Sequence, residues 1–323
     1  MSEPPRLGID VGGTRLKLAL IDRPRPGQVR IVARQLVALQ SADRSAAGLI
    51  DCLRRAIATM TRAHPTALGG VGMGVAGVLD AAAGTVLDSP NLPWLNGFAI
   101  AAALSAALDL PVQVDNDVNC IGWGEATAGA GAGVPNLLCL ALGTGVGGGL
   151  ILDGQLVRGQ RGRGAEFGHI CVDPRGPPCG CGGRGCLEQY ASQTGLLRLM
   201  EAYGLRPAVE SKLAIPALFA LAAKGDVSGQ AVVLRAGRAL GQGIAGLLRL
   251  FDVPLVVICG GIAGALDDLR PGITQALAAH APARLWQDVA IVAGTLGADA
   301  GCVGAAALAD GGASSSCRKS SDS

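Results

Sequence analysis

Short apolar runs that stop at glycine turns alternate along this chain with longer segments whose apolar residues recur at helical spacing. The first run, 7–11, stops at Gly12-Gly13-Thr14, and the next segment, 15–21, alternates apolar and polar residues as a second strand does. An apolar strand, a glycine turn and a second strand together predict a β-hairpin.

The same pattern recurs near the middle of the chain. The apolar run 137–142 leads into a glycine-rich turn, 143–149, and a second apolar run, 150–153, follows it. Both copies have the order apolar strand, Gly/Thr turn, apolar strand, which favours an internal duplication of one α/β unit. Two unrelated hairpins in a glycine-rich chain are the alternative interpretation.

Helices are predicted in the intervals between the strands. Apolar residues recur at helical spacing in five segments: 46–62, 98–108, 193–203, 232–250 and about 301–309. Two further strands are predicted at 111–114 and 254–259, and the second leads into another glycine turn, Gly260-Gly261. Strands that alternate with helices predict an α/β protein with a largely buried sheet in each lobe.

We place the boundary between two lobes near Asp117. Residues 1–117 would form a small N-terminal lobe, to which the helix at about 301–309 returns, and residues 118–300 would form a large C-terminal lobe. The serine- and glycine-rich segment 311–323 has the composition of a disordered tail.

Composition argues against several classes of function. The net charge is +2, aromatic residues make up 3% of the chain, and Lys and Arg form no block, so the footprint of nucleic-acid or membrane-surface binding is missing. The chain has no uninterrupted stretch of about 20 apolar residues, so the sequence predicts no membrane span. The first residues lead directly into a strand, which argues against a signal peptide. The ten cysteines are spread along the chain, which favours a reducing cytoplasm over a disulfide framework.

One short segment has the ligand set of a structural zinc site. It supplies one nitrogen and three sulfur ligands: His169, Cys179, Cys181 and Cys186. A closed site of this kind leaves no position for a substrate, so the metal would shape the loop 169–186 rather than perform chemistry. Glu166 and Glu188 flank the ligands, and a metal-bound histidine keeps its second ring nitrogen for a hydrogen bond. We therefore expect a surface that recognises hydroxyl groups here.

The two glycine turns suit phosphate binding, because the backbone there approaches an anion closely and directs N–H groups at it. Neither matches the P-loop or the dinucleotide fingerprint, since each leads into a strand instead of a helix. Two such hairpins about half a chain apart predict a nucleotide held between lobes. Asp10 ends the first strand and would either hold a metal-bound water or cap the turn; the sequence leaves both roles open.

A polar cluster, Asp115-Asn116-Asp117, follows the strand predicted at 111–114. The carboxyl ends of strands in open α/β sheets border ligand crevices. Two carboxylates and an amide in three residues can divide the roles of general base and hydroxyl anchor. An Asx-type turn that only ends the strand is the alternative.

These segments together resemble the ROK family (repressor, open reading frame, kinase), the sugar kinases of the hexokinase–actin ATPase superfamily. The resemblance covers essentially Leu7 to Leu308, and its most specific part is the zinc segment, with nine residues between His169 and Cys179. The matching blocks are Asp10-Val-Gly12-Gly13-Thr14, Asp115-Asn116-Asp117, the Gly143 turn, Glu166-x-x-His169 and Cys179-Gly-Cys181-Gly-Gly-x-Gly-Cys186-Leu-Glu188. The resemblance implies a two-lobed hexokinase–actin-like ATPase fold with duplicated ribonuclease-H-like lobes and an inserted structural zinc loop.

The resemblance also implies an ATP-dependent hexokinase that phosphorylates the C6 hydroxyl of a hexose, with Mg²⁺, a structural Zn²⁺ and Asp117 as catalytic base. The implied sugar contacts are Gly77, Asn91, Asn116, Asp117, Glu166, His169 and Glu188. The implied ATP contacts are Asp10, Gly12, Gly13, Thr14, Lys17, Gly143, Thr144, Gly145, Gly260 and Gly261. A homodimer or homotetramer is the implied assembly.

Three departures from the family pattern bear on the sugar. Asp115 stands where glutamate is frequent, and the loop 75–78 lacks the polar residues of some N-acyl-sugar kinases. The three-cysteine metal set differs from the histidine-substituted set of family fructokinases. These departures favour glucose as the substrate, with a kinase for N-acetylmannosamine or N-acetylglucosamine as the first alternative.

The alternative from another class is a sugar-binding transcriptional regulator that lacks its DNA-binding domain. Family regulators carry a helix-turn-helix domain before the first glycine turn, whereas that turn begins at Gly12 here. A sugar-binding module without catalysis would retain Asp117 and two phosphate turns without using them. We therefore expect an enzyme.

Overall fold

The computed structural model describes residues 3–25, 28–205 and 211–309, so the segment 311–323, predicted as a disordered tail, lies outside the described residues. The chain divides into two compact units. The first consists of Met1–Ala128, Asp153–Leu156 and Asp299–Ser323, and the second consists of Gly129–Leu152 and Val157–Ala298.

The first unit is built on a mixed sheet. Its strands are β1 (Arg6–Val11), β2 (Arg15–Arg25), β3 (Gln28–Ala38), β4 (Val71–Val75), β5 (Val78–Asp80), β6 (Thr85–Asp88) and β7 (Val112–Asn116). Its helices are α1 (Ala46–Ala63), α2 (Ile100–Leu108), α3 (Asp117–Ala128) and α9 (Ala300–Leu308). Five strands form one sheet in the order β3-β2-β1-β4-β7, and β5 pairs with β6 in a separate hairpin.

Helix α9 packs on the first sheet and on α3 at backbone contact. A β-carbon added to Gly304 would lie 1.7 Å from the carbonyl oxygen of Cys120, so this approach of α9 to α3 requires glycine. Because α3 packs against α9, the first unit runs on to Ala128, whereas the sequence predicted a boundary near Asp117.

The second unit has its own sheet and core. Its strands are β8 (Leu137–Leu142), β9 (Val146–Leu152), β11 (Leu255–Cys259) and β12 (Ala290–Ala293), while β10 (Gln155–Leu156) lies in the short segment grouped with the first unit. Its helices are α4 (Glu188–Ala191), α5 (Gln193–Ala202), α6 (Ser211–Ala223), α7 (Val227–Phe251) and α8 (Leu266–His280). The strands of this unit follow the order β9-β8-β11-β12.

The two sheets repeat one arrangement. In the first unit β1 pairs antiparallel with β2 and parallel with β4, which pairs parallel with β7. In the second unit β8 pairs antiparallel with β9 and parallel with β11, which pairs parallel with β12. The predicted duplication of an α/β unit built on a glycine hairpin is confirmed.

The second glycine turn is shorter than predicted. Strand β9 begins at Val146, so the turn comprises residues 143–145 and the next three glycines belong to the strand. A β-carbon on Gly148 would lie 2.3 Å from the ring of Phe167 and 2.4 Å from the carbonyl oxygen of Ala165. Gly148 therefore leaves room for the segment with Ala165 and Phe167 to pack across the strand. In the sequence, a run of glycines at such a position is not distinguished from a turn.

Each unit buries a separate hydrophobic cluster, the first around β1 and β4 and the second around β8, α7 and α8. Of the helices in the described residues, none alone has the length and apolar composition to cross a membrane. One pair, Leu213–Ala223 with Val227–Phe251, meets that test jointly but is bent by 110°.

Candidate functional site

The first glycine turn is closed by its backbone, because the N–H of Gly12 donates to the carbonyl oxygen of Arg15 at 3.0 Å. Across this hairpin, Lys17 Nζ donates to Asp10 Oδ2 at 2.9 Å. Burial lowers the pKa of Lys17, but the hydrogen bond and charge of Asp10 outweigh it, so the pKa of Lys17 is raised. The carboxylate of Asp10 thus pairs with the lysine while the backbone closes the turn, and Gly13 and Thr14 lie exposed at its tip.

The junction of β7 and α3 carries the predicted catalytic cluster. Asn116 is the last residue of β7, and its Oδ1 accepts hydrogen bonds from the N–H groups of Val118 at 2.8 Å and Asn119 at 3.1 Å. It therefore caps α3. Asp117 occupies the first turn of that helix, where the macrodipole stabilises a negative charge.

Asp115 supports this junction from inside. Its side chain is buried, and Oδ1 accepts from Asn119 Nδ2 and from the N–H of Asn116, each at 2.8 Å. Asn116 Nδ2 in turn donates to the carbonyl oxygen of Gly77 at 3.0 Å. The predicted position at the carboxyl end of a strand is confirmed. The Asx-type turn is present as well, since Asn116 Oδ1 accepts from Val118 and Asn119.

The loop that carries Gly77 and Asn91 is fixed by a buried serine. Ser89 Oγ donates to the carbonyl oxygen of Ala76 at 2.6 Å and accepts from the N–H of Leu92 at 3.2 Å. Gly77 has φ +129°, a conformation that favours glycine. Asn91 is exposed, and its carbonyl oxygen lies 3.5 Å from the position of a β-carbon on Gly13. The structure thus brings this predicted sugar loop to the first glycine turn.

The second glycine turn is held by the start of α5. The N–H of Gly143 donates to the carbonyl oxygen of Gly145 at 2.9 Å, which closes the turn. Gln193 N–H donates to the carbonyl oxygen of Gly143 at 2.8 Å, and Thr194 Oγ1 donates to that of Thr144 at 3.2 Å. Thr144 itself is exposed at the tip.

The third glycine turn lies beside the second. Gly260 has φ +83°, and a β-carbon there would lie 2.4 Å from the carbonyl oxygen of Leu142, the residue before the second turn. The N–H of Ile262 donates to that same oxygen at 3.2 Å. Gly260 and Gly261 are exposed. The second glycine turn, 143–145, and the third, Gly260-Gly261, therefore lie side by side in the second unit.

The four predicted zinc ligands come together. The ligand atoms of His169, Cys179, Cys181 and Cys186 all lie within 4.8 Å of one another. His169 Nδ1 lies 3.6 Å from Cys179 Sγ, and the Sγ atoms of Cys181 and Cys186 are 3.6 Å apart. A tetrahedral zinc ion, with bonds of about 2.0 Å to nitrogen and about 2.3 Å to sulfur, separates its ligand atoms by roughly 3.5–3.8 Å. The residues fit the metal.

Two of these thiols have different electrostatic surroundings. A hydrogen bond from the backbone of Gly183 is the main cause that lowers the pKa of Cys181. Burial, with the neighbouring thiols, raises the pKa of Cys186 to about 12. A coordinated cation reverses such a shift, because it stabilises the thiolate directly.

The two predicted carboxylates lie at either end of the metal segment. Glu166 is exposed and begins the 3₁₀ turn Phe167–His169 that carries the histidine ligand. Glu188 begins α4, and its Oε2 accepts from the N–H of Val146 at 3.1 Å while Oε1 lies 4.0 Å from Cys179 Sγ. The second glycine turn and the metal segment are thus connected by one carboxylate.

A set of contacts behind the metal segment was not predicted. Gln189 Nε2 lies 3.5 Å from Cys179 Sγ, and Arg198 Nη1 donates to Gln189 Oε1 at 2.6 Å. The Tyr190 hydroxyl donates to Asp173 Oδ2 at 2.9 Å. Single polar residues give no pattern in the sequence. The packing of α5 on α4 brings Arg198 to Gln189, and a separate loop brings Asp173 to Tyr190.

Known proteins are similar to this chain in sequence and fold. A glucokinase from Halalkalibacterium halodurans is 33% identical over 318 residues, which cover 94% of each chain. An N-acetyl-D-glucosamine kinase from Escherichia coli O1:K1 is 34% identical over 288 residues, 86% of this chain and 89% of the relative. The crystal structure of a ROK family glucokinase from Streptomyces griseus in complex with glucose and AMPPNP matches with a TM-score of 0.77 and 33% identity, covering 95% of this chain and 99% of that one.

The ROK family profile matches residues 6–311, which is nearly the whole chain. This range includes the glycine hairpins, the junction of β7 and α3 with Asp117, and the cluster of one histidine and three cysteines. The chain belongs to the ROK family.

Proposed function

We propose that this protein is an ATP-dependent hexokinase that transfers the γ-phosphoryl group to the C6 hydroxyl of a hexose, with glucose as the preferred substrate. The observation that carries the proposal is the match to the Streptomyces griseus glucokinase that binds glucose and AMPPNP, at 33% identity over 95% of this chain.

Asp117 is the general base in this proposal. It would accept the proton of the C6 hydroxyl as that oxygen attacks the γ-phosphorus. Its place in the first turn of α3 lets the helix macrodipole stabilise the negative charge of the carboxylate. A weakly basic carboxylate suffices, because the transition state of phosphoryl transfer is loose and catalysis depends mainly on positioning and electrostatics.

In this proposal two groups of residues contact the hexose. In the first unit Gly77, Asn91 and Asn116 would line the sugar, and the bond from Asn116 to Gly77 holds two of them in register. In the second unit Glu166, His169 and Glu188 would accept or donate hydrogen bonds to hydroxyls on the anomeric side. His169 presents Nδ1 to Cys179, which leaves Nε2 for the sugar.

In this proposal three glycine turns contact ATP. The turn at Gly12, Gly13 and Thr14, with Asp10 and Lys17, would hold phosphate oxygens and the Mg²⁺ that neutralises them. The turn at Gly143, Thr144 and Gly145 would hold the remaining phosphates. Gly260 and Gly261, which adjoin that turn through Leu142, would pass near the adenosine.

The zinc ion is structural in this proposal. His169, Cys179, Cys181 and Cys186 would hold it, and when bound it fixes the geometry of the segment between Glu166 and Glu188. We further propose that the protein is a cytoplasmic homodimer or homotetramer, which light scattering of the purified protein would measure.

A kinase for N-acetylglucosamine or N-acetylmannosamine is the second candidate, favoured by the 34% identity to the Escherichia coli N-acetyl-D-glucosamine kinase. The apolar loop Val75-Ala76-Gly77-Val78 offers few polar groups to an N-acetyl substituent, which favours glucose. A coupled assay of ADP release over glucose, N-acetylglucosamine, N-acetylmannosamine, mannose, fructose and allose tests both. The largest kcat/KM is expected for glucose. Release of ADP with none of these sugars would reject the kinase function.

A further inference from the structure

Gln189 approaches the metal cluster without being one of its four ligands. Its side-chain nitrogen Nε2 lies 3.5 Å from Cys179 Sγ. Gln189 belongs to α4, directly after Glu188, and both residues are partly buried. A donor at this distance from a metal-ligating sulfur is the arrangement by which outer residues orient and stabilise a thiolate ligand.

Arg198 fixes which end of the Gln189 amide faces the sulfur. Its Nη1 donates to Gln189 Oε1 at 2.6 Å, and its Nη2 donates to the backbone carbonyl oxygen of the same residue. Guanidinium nitrogens only donate, so the amide atom that faces Arg198 must be the oxygen. The atom that faces Cys179 is therefore the amide nitrogen, which makes the sulfur an acceptor.

These two hydrogen bonds from Arg198, called the fork below, also hold Gln189 in place. Two hydrogen bonds from one planar guanidinium to one residue fix its backbone and its side chain together, which a single-point cation does not achieve. Arg198 lies on α5, so the fork connects α5 to α4 beside the metal segment. Its guanidinium is partly buried and lies 5.9 Å from the centre of the Tyr190 ring.

We propose that Gln189 and Arg198 are positioning residues of the metal site: Gln189 donates to the Cys179 thiolate, and Arg198 aims that donor. This inference rests on the metal assignment within the proposed function. Its consequence is that metal retention depends on a residue of α5 that touches no ligand.

Arg235 provides a matched control. Its Cζ lies 4.2 Å from the centre of the Tyr190 ring, and its Nη2 donates to Asp173 Oδ2 at 2.9 Å. It thus packs against the same tyrosine as Arg198 but is bonded to Asp173 instead of Gln189. Substitution of either arginine by methionine removes a guanidinium from Tyr190, and only Arg198→Met removes the fork.

The test is the rate of zinc release from full-length protein to a chromogenic chelator, with zinc content measured first by atomic spectroscopy. Gln189→Leu and Arg198→Met are expected to release zinc about 10- to 100-fold faster than the wild type, the usual effect of losing an outer-shell partner. Arg235→Met is expected to stay within about twofold of the wild type, and Arg198→Lys to fall between, because one donor replaces two.

Release at the wild-type rate from folded Gln189→Leu would overturn the proposal, as would equal acceleration in Arg198→Met and Arg235→Met. Circular dichroism verifies that each variant folds. If Arg198→Met does not fold, the zinc release rate of Gln189→Leu alone decides the proposal. Wild-type turnover of ATP and glucose is measured in the same preparation. An active wild type without zinc would overturn this inference and leave the kinase standing; a zinc-loaded wild type without turnover would reject the kinase, and the release rates would still decide the inference.

Discussion

The carboxylate of Glu188 accepts a hydrogen bond at 3.1 Å from the backbone N–H of Val146, the first residue after the second glycine turn. A β-carbon on Gly145 would lie 2.4 Å from the same Oε2, so the turn and the carboxylate are packed together. Cys186 lies two residues before Glu188. One side chain thus joins the expected phosphate turn to the expected metal segment.

Glu188→Gln is expected to lower kcat/KM for glucose by about 10- to 150-fold. The amide keeps an acceptor for Val146 but loses the charge, and a hydrogen bond to a charged group contributes about 1.5–3 kcal/mol. Steady-state kinetics with varied glucose and saturating ATP measure the effect. Glu201→Gln, at the exposed end of α5, is the control. Equal kcat/KM in Glu188→Gln and the wild type would exclude Glu188 from the sugar site.

Cys181→Ala is expected to lose zinc and most sugar phosphorylation while the first unit stays folded. Removal of one ligand opens the cluster and releases the segment that carries Glu166 and Glu188. Zinc content, turnover and hydrogen exchange of β1 and β4 measure the three parts. Cys171→Ala is the control, since Cys171 is an exposed cysteine of the same segment outside the ligand set. An active, zinc-free Cys181→Ala would contradict the structural role of the metal.

Gly304→Ala is expected to destabilise the protein by about 1–3 kcal/mol, the usual cost of overpacking. The added methyl would meet the backbone of Cys120, since α9 and α3 touch there. Gly246→Ala, in α7 with no atom within 4 Å of the new β-carbon, is expected to stabilise by about 0.5–1 kcal/mol. Thermal unfolding compares the two. A shift of the same sign in both variants would contradict the close packing of α9.

The sequence predicted the features that depend on local pattern. Both hairpins were found because apolar strands on either side of a glycine turn leave a clear alternation, and the helices at 46–62 and 193–203 were confirmed almost to their ends as α1 and α5. The metal ligands were found because their residue types are rare and closely spaced. Their convergence within 4.8 Å is confirmed.

The features that were missed depend on contacts between distant segments. Strand β4 reads Val-Gly-Met-Gly-Val, which resembles a loop, yet Gly72 is required because α9 packs on it, and Gly74 lies against the start of α3. The fork from Arg198 to Gln189 joins two helices, and neither residue stands out in the sequence. Strand β3 was missed too, although its alternation of exposed and partly buried residues is regular.

Stability at acidic pH is expected to depend on Asp173. The hydrogen bond from the Tyr190 hydroxyl, with those of the Arg175 backbone and the charge of Arg235, lowers the pKa of Asp173 against the effect of burial. The unfolded chain, with an aspartate pKa of about 3.9, then binds protons at a higher pH than the native state. The contribution is complete above that value and is lost as pH falls through the native pKa.

Between pH 5 and pH 3, the free energy of unfolding is therefore expected to fall less in Asp173→Asn than in the wild type. Urea denaturation at each pH measures it. Asp267→Asn is the control, because the Asp267 side chain is 93% exposed. Identical pH profiles for Asp173→Asn and the wild type would show that the bond to Tyr190 contributes nothing to stability.

The central claim is that Asp117 is the base for phosphoryl transfer to the C6 hydroxyl. Phosphorus NMR of the products from ATP and glucose tests it most directly, with wild-type protein and Asp117→Ala compared at equal concentration. The wild type is expected to form glucose 6-phosphate, and Asp117→Ala to form it at least about 10²–10⁴-fold more slowly, the usual loss of a general base, while still binding glucose weakly. Phosphate at another hydroxyl, or near-wild-type turnover by Asp117→Ala, would contradict the account.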